Sequence, residues 1–303
     1  MSEPVSTLRP LKGIGLSALG YGLFSVQDAT VKWLVAGYAV PQILFTRSLV
    51  IVVIALLIGG RRNIAALAQS RNKGALALRS FLILVAWLSY YNAARSLGLA
   101  QLTTLYYAAP IIVVILSVVL LKEVVSPARW LAVAAGFGGV ALAADPHGAI
   151  DLVPACLALF AACCWGLSII LVRLINRSDT TTNQMIVINT LFAAACAPML
   201  LWYWKTPDPF SLALMLILGV AGGLGQFFLY EGFRFAPASA LAPIEYTGLV
   251  WACLYGYVIW GDIPRVTVFA GAALIVGSSL TLVLFERRRA AAALRPPAEH
   301  GSI

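Results

Sequence analysis

Asp28, Lys32, Arg47 and Glu245 are ionisable side chains set in stretches of sequence that hold little else polar. In hydrocarbon each such group costs at least about 2.5 kcal/mol, so it needs a partner, a wet cavity or a task. Asp28 and Arg47 lie at similar depths in the first two apolar stretches and could form an ion pair. Lys32, one helical turn beyond Asp28, is a rival partner. Such a pair either locks two helices together or meets a zwitterionic substrate and shifts during gating. Glu245 is either a carboxylate that carries a coupling proton or an anchor for neighbouring helix ends.

A second set is aromatic: Trp87, Tyr90, Tyr91, Tyr106, Tyr107, Trp165, Tyr230 and Tyr246. Trp130, Trp202, Trp204 and Trp260 sit at the ends of apolar stretches, where interfacial belts account for them. Trp87 and Trp165 lie too deep for that. Any one of these rings could be core packing, but as a set they point to an aromatic-lined cavity with few fixed charges. Such a cavity suits amphipathic molecules, whose apolar parts pack on rings while amides such as Gln226 and Asn189 hold the polar end.

The elements that must position these residues are membrane-spanning helices. The chain has 303 residues, 61% hydrophobic and 11% charged, with mean hydropathy +0.91. A soluble domain carries about 25% charged residues, so this chain cannot cover itself with a water-facing surface. Continuous apolar runs, without the short alternation of barrel strands, make the expected fold an all-α integral membrane protein. Ten transmembrane helices are expected near 14–34, 41–60, 75–94, 101–121, 128–144, 153–173, 184–204, 211–233, 238–260 and 266–285. The first is expected to persist as a helix rather than a cleaved signal, since its apolar run continues through Gln27 and Asp28 without a cleavage site.

Charge sets the orientation. Arg9, Lys12, Arg61, Arg62, Arg71, Lys73, Arg79, Lys122, Arg129, Arg173, Arg177, Arg234 and the tail residues Arg287, Arg288, Arg289 and Arg295 fall on one side. Only Arg95, Lys205 and Arg265 fall on the other, a ratio of 16 to 3. Basic residues collect in the cytoplasm, so both termini are expected there and the protein in a cell inner membrane. The net charge of +9 therefore orients the chain and meets anionic lipid, with no nucleic acid implied.

The chain also repeats itself. An offset of 139 aligns Tyr91 with Tyr230, Tyr107 with Tyr246, Glu123 with Asp262 and Gly138 with Gly277. Earlier in each half, an offset of 141 pairs Lys32 with Arg173 and Gln42 with Asn183. Five spans per half is an odd number, so the second copy must enter the membrane from the opposite side. The halves are expected at 1–145 and 146–303, the latter with a basic cytoplasmic tail. Small residues such as Gly219 with Gly223, and Ala135 with Gly139, would let helices approach closely, whether for sliding or for static packing.

Other chemistries lack their residues. No GxxxxGK[ST] loop for ATP occurs. His147 and His300, the two histidines, stand far apart, and five cysteines lie within apolar runs, so neither a metal site nor a disulfide framework is expected. No nucleophile–base constellation suggests an enzyme and no filter motif a channel. The expected partners are a small-molecule substrate and the lipid bilayer, with no cofactor, in a monomer or weak dimer.

Leu99-Ala100-Gln101, Tyr106-Tyr107-Ala108-Ala109-Pro110 and Leu120-Leu121-Lys122-Glu123 resemble the signature of the EamA family of the drug/metabolite transporter superfamily. Ile244-Glu245-Tyr246-Thr247 and Trp260-Gly261-Asp262-Ile263-Pro264 resemble it again in the second half. Lys122 stands where glycine is common, and Asp262 replaces the usual glutamate. The resemblance implies a carrier working by alternating access, its central site lined by helices 1, 3, 4, 6, 8 and 9. The cargo it suggests is a small amphipathic metabolite. Export of amino acids is the first expectation, and uptake or exchange of a nucleoside-like or adenosyl metabolite the alternative.

Overall fold

The structure, a computed structural model, describes residues 10–59, 73–109, 111–112, 115–116, 127–144, 152–175, 180–235, 244 and 247–293. Among these residues all regular structure is helical. The main helices are α1 (Pro10–Leu34), α2 (Val40–Gly59), α3 (Lys73–Ala93), α4 (Leu99–Tyr106), α5 (Pro127–Ala144) and α6 (Leu152–Ile175). They are followed by α7 (Thr181–Cys196), α8 (Pro209–Phe235), α9 (Thr247–Trp260) and α10 (Val266–Ala293). A 3-10 turn at Ala197–Met199 and a helical turn at Leu200–Tyr203 extend α7. Among the described residues, four segments are long and apolar enough to cross a bilayer: Val40–Ile58, Gly74–Ala93, Thr181–Tyr203 and Pro209–Gly232. Val133–Ala143, Leu152–Ser168, Thr247–Trp260 and Val266–Ser278 are shorter apolar helices. Leu57, Leu201 and Val266 are at least 80% exposed on the outside. An apolar exterior of this kind is stable against lipid tails and unstable against water.

Local chemistry places the helix ends. Thr180 caps α7, its side chain accepting from Asn183 N at 3.3 Å. Asp208 caps α8: Oδ1 accepts from Phe210 N and Ser211 N, both at 3.0 Å, with Pro209 at the first helical position. α9 ends at Gly261, whose φ of 69° is the left-handed conformation that favours glycine. Its N–H donates to Tyr257 O at 2.9 Å. α4 gives way to a turn at Tyr107–Ala108. A proline ring clashes with the carbonyl four residues earlier, and Pro110 in the sequence puts that conflict at Tyr106.

α1 packs most extensively on α8, α3 on α6, α5 on α10 and α2 on α7. Lesser contacts join α2 to α8, α3 to α7, α1 to α9, α4 to α6 and α4 to α9. Each of these pairs maps onto another of them, or onto itself, when every helix is exchanged with the one five places along. Two crossings bring backbones together. A Cβ on Gly20 would lie 3.0 Å from Gly225 O, and one on Gly225 3.1 Å from Gly20 O. Where α5 meets α10, a Cβ on Gly139 would lie 2.7 Å from Gly271 O. Gly219 and Gly223 take the packing role: both face α2, against Val50 and against Ile51 with Ile54.

Candidate functional site

The helix crossings enclose a cavity of two adjoining chambers. The larger, about 90 Å3, is lined by Tyr21, Phe24, Ser25 and Asp28 of α1, Trp87 and Tyr90 of α3, and Thr103 and Tyr106 of α4. Tyr107, Trp165 of α6, Leu229 of α8 and Gly248 of α9 complete it. These are the six helices that the family resemblance implied. The smaller chamber, about 30 Å3, shares Phe24, Trp87, Trp165 and Leu229 and adds Arg47, Ile83, Ile188, Asn189, Phe192, Gln226 and Tyr230. Four aromatic and apolar side chains thus form a collar between two largely apolar compartments.

The rings pack against one another around the collar, edge-on from Trp87 to Tyr90 to Tyr106 and tilted at 45° between Tyr106 and Trp165. Trp87 meets Tyr90 at 5.9 Å and 86°, Tyr90 meets Tyr106 at 5.1 Å and 68°, and Tyr106 meets Trp165 at 6.5 Å. Edge-to-face contact fixes the ring planes. Tyr107 reaches across to α9, where a Cβ on Gly248 would collide with its hydroxyl.

Of the residues singled out in the sequence, Trp87, Tyr106, Tyr107, Trp165, Gln226, Tyr230, Asp28 and Arg47 border these chambers. Tyr91 does not. It is fully buried behind Trp87, ring centroids 5.3 Å apart, and Tyr90 takes the cavity-facing place instead. The repeat register matches Tyr91 to Tyr230, but a register of sequence does not set which way a helix is turned. Tyr246 and Glu245 lie outside the described residues.

The charges are arranged otherwise than expected. Asp28 and Arg47 form no ion pair: within 4.0 Å, no cation meets Asp28 and no carboxylate meets Arg47 among the described residues. Arg47 is 3% exposed. Its Nε donates to Gln27 Oε1 at 3.1 Å, and its guanidinium lies 4.9 Å from the Trp87 ring centroid. The Asp28 carboxylate accepts from Tyr90 OH at 3.4 Å. Lys32 turns away from Asp28. Its Nζ donates to Leu97 O at 2.8 Å, approaches Asp262 Oδ2 at 4.0 Å and sits 5.5 Å from the Trp260 ring.

Lys32 and Asp262 line a separate open cavity of about 510 Å3 with Gln101 and Arg265. The same end of the bundle is tied by Tyr38 OH donating to Asp208 Oδ2 at 3.0 Å. Gln42 Nε2 donates to Lys205 O at 2.6 Å, and Arg95 Nη2 to Tyr38 O at 3.2 Å. We call it the clasp end.

Sequence reading missed two features. Tyr21 and Phe24 border the cavity two turns and one turn before Asp28, an i, i+3, i+7 stripe whose spacing could have revealed them. Tyr90 belongs to the aromatic set read from the sequence, although the repeat register there favours its neighbour Tyr91. Arg79, expected among the cytoplasmic basic residues that orient the chain, is 2% exposed inside the bundle. It donates to Gln184 Oε1 at 3.0 Å and to Tyr230 OH at 2.8 Å, and its Nε has no hydrogen-bond partner among the described residues.

A helical bundle with an apolar exterior and a charged, aromatic cavity within has the build of a membrane transporter. The sequence profile of the EamA-like transporter family matches residues 11–144 and again 152–284, and the chain belongs to that family. It is 29% identical over 217 residues to the S-adenosylmethionine uptake transporter of Rickettsia prowazekii, spanning 70% of this chain and 72% of that one. It is 27% identical over 278 residues to the pseudopaline exporter of Pseudomonas aeruginosa, spanning 89% and 95%. A solved crystal structure matches with a TM-score of 0.65 at 18% identity, over 94% of this chain and 99% of the other, a likeness of fold.

Proposed function

We propose that the chain is a secondary carrier that moves a small amphipathic metabolite across a bacterial inner membrane by alternating access. The observation that carries this reading is the two-chamber cavity, where eight helices converge on rings, two amides and two ionisable groups of opposite sign that form no ion pair among the described residues. At about 90 and 30 Å3 the chambers fall short of the roughly 300–1,000 Å3 of a drug-sized site. Loading therefore requires the helices to part. Two inverted halves, 1–145 and 146–303, would supply that motion by exchanging conformations. The twofold family match and the packing pattern that survives a five-helix exchange both support such halves. Ten spans with both termini in the cytoplasm put the clasp end outside.

A relative named for S-adenosylmethionine uptake favours an adenosyl-type cargo moving inward over the amino-acid export first expected. A relative named as an exporter keeps outward flux as the second reading. Counterflow of labelled S-adenosylmethionine into proteoliposomes, with and without a pH gradient, tests the carrier. Saturable exchange is expected, with loss in Tyr107→Ala while the protein stays monodisperse. Exchange unchanged by that substitution would remove the cavity from the pathway. If Glu245 carries a coupling proton, Glu245→Gln abolishes pH-driven accumulation and spares exchange. Equal pH dependence in the variant excludes it.

A further inference from the structure

The two chambers hold ionisable groups of opposite sign, Arg47 and Asp28, that form no ion pair within 4.0 Å among the described residues. In the smaller chamber the Arg47 guanidinium is held by one hydrogen bond through Nε, and by the Trp87 ring beneath it. Its two terminal nitrogens have no hydrogen-bond partner among the described residues. Buried charges are paired or they wait for a partner, because desolvation without compensation is expensive. The guanidinium fork matches a carboxylate with two parallel donors.

Asn189, on the same chamber wall, presents the complementary group. Its Nδ2 donates to Met185 O at 2.8 Å, which fixes the orientation of the amide. Its Oδ1 is buried and has no hydrogen-bond partner among the described residues. A lone acceptor beside a lone guanidinium suits an ammonium beside a carboxylate. Across the collar the Asp28 carboxylate stands among Tyr21, Tyr90 and Tyr106, a setting for an aromatic body that itself carries positive charge.

We propose that the Arg47 chamber seats the α-amino-acid head of the cargo. Arg47 takes the carboxylate and Asn189 Oδ1 the ammonium, while a cationic or aromatic body lies in the Asp28 chamber. The proposal rests on the carrier reading above and narrows its substrate class to amino acids with a ring-bearing side group. It also explains why the guanidinium is fixed by Gln27 rather than by a carboxylate: a permanent acidic partner would compete with the cargo. Gly222 permits the arrangement, since a Cβ there would collide with Gln27 Oε1 and lie 3.0 Å from Arg47 Nε.

The test compares four compounds on the purified full chain: S-adenosylmethionine, its decarboxylated form, adenosine and phenylalanine. Thermal protection in detergent reports binding, and competition against S-adenosylmethionine counterflow reports transport. Loss of the carboxylate is expected to weaken binding by roughly ten- to a hundredfold, the span of a hydrogen bond to a charged group. In Arg47→Gln the intact and decarboxylated compounds should bind alike. Equal binding of the two by the wild type overturns the head-group assignment, as does an unchanged preference in Arg47→Gln. If Arg47→Gln does not fold, the wild-type comparison decides alone. Transport of adenosine without binding of either head-bearing compound leaves the carrier standing and sinks the assignment. Failure of both head-bearing compounds to protect also sinks it.

Discussion

Lys32 should matter more to closure of the clasp end than Asp262, although the two look like equal halves of an ion pair. Coulomb attraction at 4.0 Å is about 4 kcal/mol at an effective dielectric of 20 and about 1 kcal/mol in bulk water. Asp262 is 45% exposed against 13% for Lys32, so the pair belongs near the watery limit, about 0–1 kcal/mol. The Lys32 bond to Leu97 O at 2.8 Å is charge-assisted, and such bonds contribute about 1.5–3 kcal/mol. It ties α1 directly to the turn that enters α4. Asp262→Asn is therefore expected to raise the population open at this end by at most about fivefold. Lys32→Met, which keeps the apolar stem, should raise it by roughly ten- to a hundredfold. Ser25 lies two turns below Lys32 and lines the larger chamber at 6% exposure. A cysteine there, in a background lacking Cys156, Cys163, Cys164, Cys196 and Cys253, reports opening by its alkylation rate with a membrane-impermeant maleimide. The reasoning fails if Asp262→Asn accelerates labelling as much as Lys32→Met does, or if neither changes it.

Two further outcomes follow from local geometry. Tyr230→Phe removes the acceptor of Arg79 Nη2 deep in the bundle and should destabilise the protein by about 1.5–3 kcal/mol in a detergent melt. An unchanged melting temperature would mean that Arg79 finds another acceptor. Asp208 is held down to about 2 from 3.8, chiefly by the Ser211 hydroxyl and backbone N–H, then by Tyr38 OH. A depressed folded value means that its contribution is fully present above the unfolded value and lost as pH falls from about 4 towards 2. The stability gap between wild type and Asp208→Ala should therefore narrow over that interval, and a constant gap would refute the assignment.

The apolar stretches were legible because hydropathy is a property of each residue alone, summed along the chain. Helix bounds follow to within a few residues wherever α1, α2, α3, α5, α6 and α8 are fully described, and Gly261 and Pro209 stand at ends where their backbone preferences put them. The aromatic cavity was legible as a set, since Trp87 and Trp165 lie too deep for an interfacial role. Individual contacts were not. Tyr90 faces the cavity and Tyr91 the core because consecutive helical residues point about 100° apart. The turn of α3 about its axis depends on how it packs against α6.

Charge pairing shows the same division. From the sequence, Asp28 could reach Lys32 or Arg47, and Arg79 belonged with the cytoplasmic basic residues. In the fold Lys32 is carried to Leu97 and Asp262, Arg47 to Gln27, and Arg79 to Gln184 and Tyr230, partners from 20 to 230 residues away. The sequence by itself determined that the chain is helical, apolar without and built to carry a few polar groups through hydrocarbon. Tertiary structure alone decided which polar groups answer one another and which are left for a guest. Burial sets the cost of a charge, but its partner is set by helix rotation and crossing, which residue type does not encode.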